Sequence, residues 1–412
     1  MMDPMPLIVL AGLTVVVGYI GTAIFDRTRI PDIVWLILFG ILIGPVLSYF
    51  EAVVFKDVSA LLAAVALMII LFDAGLNLDF FKFLRNAPKG LLFSVINMLA
   101  SMAVVGGLSM WLFGFGNVST GLLLGAILGG TSSAVVISLV SKLNCSENTK
   151  MSVILESVLT DTLTIIAAIA ILNYMSATGT PSPLQSIMAS FSVGGMLGLI
   201  AGLVWLFILN RLRNRPFDHI LTLGVVFLLY VFSEASGGSG AITAFMFGLV
   251  LGNGAKFSQM LRFSRTFTID RVMKTFQGEV SFFIRSFFFV YLGIIFTFQP
   301  SLLFYGLVLA GAILFVRFAV VRVLTAPMNM DKGEANIIGV LGPRGLAAAV
   351  LAQLPRLQEL PEAALFSDII LVVIMATVMC STVAVFLVSR GRKNALGEAQ
   401  SGKQQKPPGK SG

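Results

Sequence analysis

The chain is poor in charge. Only 12% of its 412 residues are Asp, Glu, Lys or Arg, against a hydrophobic share of 57% and a mean hydropathy of +0.95. Soluble globular domains carry roughly twice that charge, so most of this chain must sit out of water. It has one histidine, His219, and two cysteines, Cys145 and Cys380. No His-Glu-x-x-His zinc pattern can therefore be written, which argues against an intramembrane metalloenzyme. No phosphate loop of the form Gly-x-x-x-x-Gly-Lys-Ser/Thr occurs either, which removes ATP-driven work. No cofactor is expected.

Long apolar runs fill the rest. At roughly 20 residues per crossing they give about thirteen spans, near 6–25, 33–50, 58–77, 89–113, 119–141, 151–174, 185–209, 217–234, 239–253, 276–298, 301–324, 335–354 and 363–389. The expected fold class is an all-α polytopic membrane protein. The net charge of +8 suggests a nucleic-acid partner until its placement is read. Arg27, Arg29, Lys82, Arg85, Lys142, Lys150, Arg211, Arg213, Arg215, Lys256, Arg262 and Arg265 all fall in odd-numbered connections, and Arg390, Arg392 and Lys393 begin the tail. Even-numbered connections hold only Lys56 and Arg356. By the positive-inside rule the N-terminus is outside and the C-terminus cytoplasmic, as expected of a multi-pass protein of the cell membrane. The basic excess is topological, and no nucleic acid is implied. Both cysteines then fall toward the reducing side, so no disulfide is expected. His219 stands at a helix start and reads as interfacial. Residues 255–275 read as a basic amphipathic surface segment, and the polar tail from Gly391 as disordered.

Two spans are interrupted, at Gly129-Gly130-Thr131-Ser132-Ser133 and at Gly342-Pro343-Arg344-Gly345. Unpaired backbone in hydrocarbon costs roughly several kcal/mol per group, so such breaks survive only where they line a polar cavity. The first lies in the fifth span and the second in the twelfth. That odd displacement makes the two run in opposite directions, as an inverted repeat requires. Six spans, a linker and six more are expected, with the two unwound helices crossing at mid-membrane. Such a pair points to the binding site of a secondary transporter.

Six ionisable residues stand out within spans: Asp73, Glu156, Asp161, Arg285, Arg317 and Arg344. Buried ionisable groups are expensive in a membrane and mark function. At about 100° per residue, Ser157, Asp161 and Thr164 share a helix face with Thr160 beside it, and Glu156 points roughly 140° away from Asp161. The two acids should therefore do different work. Carboxylate, hydroxyl and freed carbonyl oxygens suit a hard cation, so Asp161 with Ser157, Thr160, Thr131 and Ser132 forms the candidate ion and proton site. A proton and a metal ion would compete for Asp161. Three arginines for three acids also allow Asp161 simply to be salt-bridged. Glu156 is expected to pair with Arg344 or Arg285, and Arg344 to compensate the helix ends at its break. Arg317 completes the charge-compensating set. Asp73 reads as an entrance or relay acid, or as an interfacial carboxylate. Glu234 reads as a solvated helix end, and Phe287-Phe288-Phe289 as lipid-facing or close-packing material.

Phe72-Asp73-Ala74-Gly75-Leu76, the Glu156-to-Asp161 run, Gly238-Ser239-Gly240-Ala241 through Gly252-Asn253, Phe283-Ile284-Arg285-Ser286-Phe287 and Gly342-Pro343-Arg344-Gly345 together resemble the monovalent cation:proton antiporter superfamily, in its NhaP-type branch. The resemblance implies a homodimer in a lipid membrane. It implies dimer-side helices in 1–85 and 176–300, a mobile core in 86–175 and 301–390, and a cytoplasmic tail from 391. It implies transport at Asp161, aided by Ser157 and Thr131, with Glu156 and Arg344 as a structural ion pair and Asp73 on the cytoplasmic route. Two features depart from it. Thr160 stands where such proteins usually have Asn, and Thr131-Ser132-Ser133 where they usually have Thr-Asp, closer to Kef-type potassium exchangers. Sodium and potassium both stay open. One titrating carboxylate exchanging one cation for one proton would be electroneutral. The rival readings are a cation channel and a transporter of organic anions, the latter needing a basic group, Arg285 or Arg317, turned to the site.

Overall fold

The computed structural model describes residues 5–28, 30–50, 59–141, 143, 147–176, 183–212, 217–260, 271–328, 332–357, 360 and 362–404. Among them the regular structure is entirely helical. In order the helices are α1 (Met5–Thr28), α2 (Asp32–Ile41), α3 (Ser59–Asn77), α4 (Phe80–Phe113), α5 (Val118–Gly129), α6 (Ser133–Val140), α7 (Glu147–Ser176), α8 (Pro183–Leu212) and α9 (Asp218–Ala235). There follow α10 (Gly240–Gly252), α11 (Gly254–Met260), α12 (Arg271–Ile294), α13 (Pro300–Met328), α14 (Lys332–Val340), α15 (Leu346–Leu351), α16 (Leu354–Leu357) and α17 (Ala363–Gln404). A π-turn, Leu42–Val46, extends α2 around Pro45, whose ring cannot continue an α-helical ladder.

All thirteen expected segments fall on helices. Eight stretches meet the length and apolarity of a crossing outright, and α10 with α11, bent by 74°, would make a ninth. Asp32–Val46, Leu61–Asn77 and Leu346–Arg356 are apolar but shorter. The tenth segment falls on α12, whose first half carries Arg271, Lys274 and Glu279. Of the expected surface segment, 261–270 lies outside the described residues. The helix α17 runs on to Gln404, past Gly391 where the composition change placed the end of order; no proline interrupts it over that length. Phe288 and Phe289 are buried, so that aromatic run is packing material and not a lipid face. The exposed Glu234 also steadies a helix start, because its Oε1 accepts from the Gly240 N–H at the beginning of α10, 2.8 Å.

Helices α4, α5, α7, α13, α14, α15 and α17 pack on one another, as do α1, α2 and α12, and α3, α8, α9 and α10. With lipid as solvent, close backbone approach replaces the hydrophobic drive. The α3–α10 contact shows it. A Cβ placed on Gly75 would land on the Phe245 carbonyl oxygen, one on Gly248 on that of Phe72, and one on Gly252 on that of Leu76. Asn253 then locks this pair. Its Nδ2 donates to the Leu78 and Leu249 carbonyls, both at 2.8 Å, and its Oδ1 accepts from the Phe80 N–H at 3.0 Å.

Candidate functional site

Helix α5 stops at Gly129, and α6 does not resume until Ser133. Between them Gly130 and Ser132 are extended (ψ 155° and 113°). Helix α14 stops at Val340 and α15 starts at Leu346, with Gly345 also extended. The breaks meet: the Ser132 N–H donates to the Pro343 carbonyl at 2.8 Å. Glycine is needed at the crossing, because a Cβ on Gly345 would fall on the Ser132 side chain and one on Gly130 on the Thr164 hydroxyl.

Unwinding frees backbone groups that must find partners, and side chains supply them. Thr160 Oγ1 accepts from the Thr131 N–H (3.1 Å), Thr377 Oγ1 from the Arg344 N–H (3.0 Å) and Ser381 Oγ from the Gly342 N–H (3.3 Å). Arg344 Nε donates to the Leu128 carbonyl at the end of α5, 2.6 Å, and its Nη1 to the Gly342 carbonyl, 3.0 Å. A cation belongs at a helix C-terminus, where orphan carbonyls and the negative dipole end converge.

Glu156 is held by Arg317, not by Arg344 or Arg285. Arg317 Nη1 and Nη2 reach its two oxygens at 3.0 and 2.9 Å, a bidentate fork of the strong, planar kind. Arg317 Nε is anchored on the Ile338 carbonyl, 3.0 Å. The reason for the correction is geometric. Arg317 projects from the unbroken α13 straight at α7, whereas Arg344 is turned back onto the end of α5. Both partners are dry, with side-chain exposures of 0% and 2%. Arg285 instead pairs with Asp32 across α12 and α2, 2.9 Å. Each of these two guanidiniums thus has a carboxylate partner outside the Asp161 side chain.

The hydroxyl of Thr131 is fully engaged. It accepts from Arg317 Nη1 (3.1 Å) and Arg344 Nη1 (3.5 Å) and donates to Glu156 Oε1 (3.4 Å). Thr160 Oγ1 donates to the Glu156 carbonyl, 3.0 Å, while receiving the Thr131 N–H. These two expected ligands therefore brace the break. Ser157 Oγ donates to the Ile154 carbonyl, 2.9 Å, which leaves its lone pairs free to accept. Ser132 is buried at the crossing itself.

Asp161 stands apart. It is half-buried, and among the described residues no Lys, Arg or His lies within 4 Å of it. Its Oδ2 instead accepts from the hydroxyl of Ser133, 3.0 Å, and from the Ser133 N–H, 3.3 Å. The carboxylate thus faces the positive end of α6. The angular separation of Glu156 and Asp161 on α7 is realised as one acid paired with an arginine and one acid held by hydrogen bonds from Ser133. Asp73, half-buried on α3, accepts from Asn77 Nδ2 at 2.9 Å and is not part of this cluster. His219 lies beside Asp218 and against the Phe276 ring.

Ser133, part of the break in the sequence, was not among the expected ligands, although it is the first residue of α6 and donors there face whatever anion is near. Asp368 went unmarked. It is buried on α17 and accepts from the Thr297 N–H at 3.0 Å. Beside it Gln353 Nε2 donates to Ser367 Oγ, 3.1 Å. An acid so early in an apolar run was the available signal.

Residues 12–390 match the family described as "Sodium/hydrogen exchanger, transmembrane". The chain belongs to that family. Among similar proteins, a K(+)/H(+) antiporter NhaP2 from Shewanella sp. (strain MR-4) is 27% identical over 399 residues, covering 94% of this chain and 67% of that relative. A probable Na(+)/H(+) antiporter 2 from Methanocaldococcus jannaschii is 26% identical over 349 residues, covering 81% of each. The structure of the sodium proton antiporter MjNhaP1 from Methanocaldococcus jannaschii at pH 8 superposes with a TM-score of 0.76 at 22% identity, covering 94% of this chain and 97% of that one. The fold is the exchanger fold, and the protein is a multi-pass membrane transporter by family.

Proposed function

We propose that this protein exchanges a monovalent cation, Na+ or K+, for H+ across the cell membrane, with the two competing for Asp161. The observation that carries the reading is the contrast on α7. Glu156 is neutralised by a forked arginine, while five residues on, among the described residues, Asp161 accepts from the hydroxyl and N–H of Ser133 alone. A carboxylate in that setting can release a proton and take up a hard cation. Ser157 and Ser132 are the further oxygen donors near it, and Thr131 and Thr160 hold the break in shape.

The core that carries the site comprises α4 to α7 and α13 to α17. It moves against a scaffold of α1 to α3 and α8 to α12, through which two copies pair. The halves are an inverted repeat joined through α8, with the N-terminus outside and the C-terminus cytoplasmic. Asp73, on α3, stands on the cytoplasmic approach. In a population-shift sense, cation and proton each stabilise a core able to cross, and the unloaded carboxylate does not. The decisive test uses proteoliposomes with a trapped pH dye and an imposed proton gradient. Adding Na+ or K+ should collapse the gradient, and Asp161→Asn should abolish the response. A channel would instead give electrical current under a clamped potential with no proton flux coupled to it.

A further inference from the structure

Ser133 is unusual in giving two donors to one oxygen. Its N–H and its hydroxyl both reach Asp161 Oδ2, at 3.3 and 3.0 Å. The backbone donor is fixed by the first turn of α6. The hydroxyl is not: rotation about one side-chain bond replaces its hydrogen by a lone pair at almost the same place. Both Ser133 donors lie on Oδ2, so a cation that binds Asp161 through that oxygen, alone or together with Oδ1, meets the lone pairs that Ser133 occupies, and there the hydroxyl must either leave or turn. Turning costs little and presents a third kind of oxygen to the ion. Of the neighbouring hydroxyls, Thr131 and Thr160 cannot do this, because they are tied to arginines, Glu156 and freed backbone.

We infer that Ser133 is a ligand-exchange residue of the transport site: its hydroxyl donates to Asp161 until a cation arrives, then turns its oxygen onto the ion, and so sets which monovalent cation is carried. This rests on the exchange at Asp161 proposed above. The fixed N–H keeps the carboxylate registered against α6 throughout. The hydroxyl determines how well a given ion's lost hydration is replaced, since ions of different size place their oxygens at different distances. Cation choice is thereby moved onto a broken helix whose ligand positions are set by the Ser132–Pro343 crossing.

The experiment is a titration of the full-length protein in proteoliposomes with NaCl, KCl and LiCl at one fixed pH, reading half-saturating concentration and maximal rate for each. Losing one oxygen that contacts a charge should raise the half-saturating concentration of the preferred cation about tenfold in Ser133→Ala. The other ions should change less, so the preference ratio collapses. Ser133→Thr keeps the hydroxyl and should keep the ratio. Ser133→Cys keeps the shape but replaces oxygen by a softer atom, and should collapse the ratio as Ala does; it serves if the Ala variant does not purify. The inference is overturned if Ser133→Ala or Ser133→Cys retains the ratio, or if Ser133→Thr loses it as fully. A wild-type protein that exchanges none of the three ions would overturn the proposed function itself. Exchange that needs Asp161 but ignores position 133 would overturn only this inference.

Discussion

The N–H of Ser132 and the carbonyl of Pro343 form a backbone hydrogen bond of 2.8 Å between two helices that have both come undone at that level. The bond pairs a donor freed by one break with an acceptor freed by the other. The crossing therefore ties the two broken helices together, with the side chains of Ser132 and Ser133 on one of them and Arg344 on the other.

A methyl group at the crossing should break it. Gly345→Ala places a Cβ on the Ser132 side chain and should abolish exchange while lowering the melting temperature. Gly107→Ala and Gly311→Ala have nothing within 4 Å of the new Cβ, and mid-helix Gly→Ala substitutions gain about 0.5–1 kcal/mol. Those two should melt no lower than wild type and should transport normally. Equal behaviour of all three would show that the crossing is not sterically required.

Breaking the Glu156–Arg317 fork should cost stability before it costs chemistry. Glu156→Gln leaves a dry guanidinium without its counter-charge, a loss of about 3–5 kcal/mol. The expected result is a large fall in melting temperature in detergent, seen also for Arg317→Lys, which cannot form the fork. Asp161→Asn removes no salt bridge and should melt close to wild type while being inert in exchange. A double comparison of melting and flux across these variants separates the structural acid from the transporting one.

The Asn253 clamp should be intolerant of an almost isosteric change. Asn253→Asp retains the acceptor for the Phe80 N–H but turns the donors to the Leu78 and Leu249 carbonyls into a carboxylate facing two carbonyl oxygens. The loss of both bonds and the repulsion should together cost about 2–3 kcal/mol. The reading is a lower melting temperature and a smaller yield of folded protein, with the half-saturating cation concentration of the surviving fraction unchanged.

Much of this was legible in the chain. Apolar runs locate helices because lipid forces backbone groups to pair within a segment, and glycine clusters that interrupt two runs locate the breaks. The helical period separates Glu156 from Asp161 because a five-residue step turns about 140°. What the sequence could not carry was partner choice across helices. Arg317 and Arg344 are both membrane arginines, and only the direction from which α13 approaches α7 decides that Arg317 takes Glu156. Likewise Thr131 and Ser133 are both hydroxyls beside the same break. Which one meets Asp161 depends on where α6 restarts, a matter of one residue at a helix end, where sequence signals are weakest.

Charge accounting at the crossing leads to a last expectation. At the crossing Glu156 and Arg317 cancel, leaving Asp161 and Arg344 as the two further charges beside it. With Asp161 bearing a proton these four groups have one net positive charge, contributed by Arg344. With Asp161 ionised and a monovalent cation beside it the sum is the same. On the exchange proposed above, both loaded forms would cross the same field at the same electrical cost, and one full cycle would move one cation against one proton with no net charge. Exchange measured at a fixed pH gradient should keep its rate when the membrane potential is stepped with valinomycin and K+ in a Na+-driven assay. A rate that rises or falls steeply with potential would mean that a second group, with Asp73 the first to test by Asp73→Asn, gains or loses a proton in the cycle.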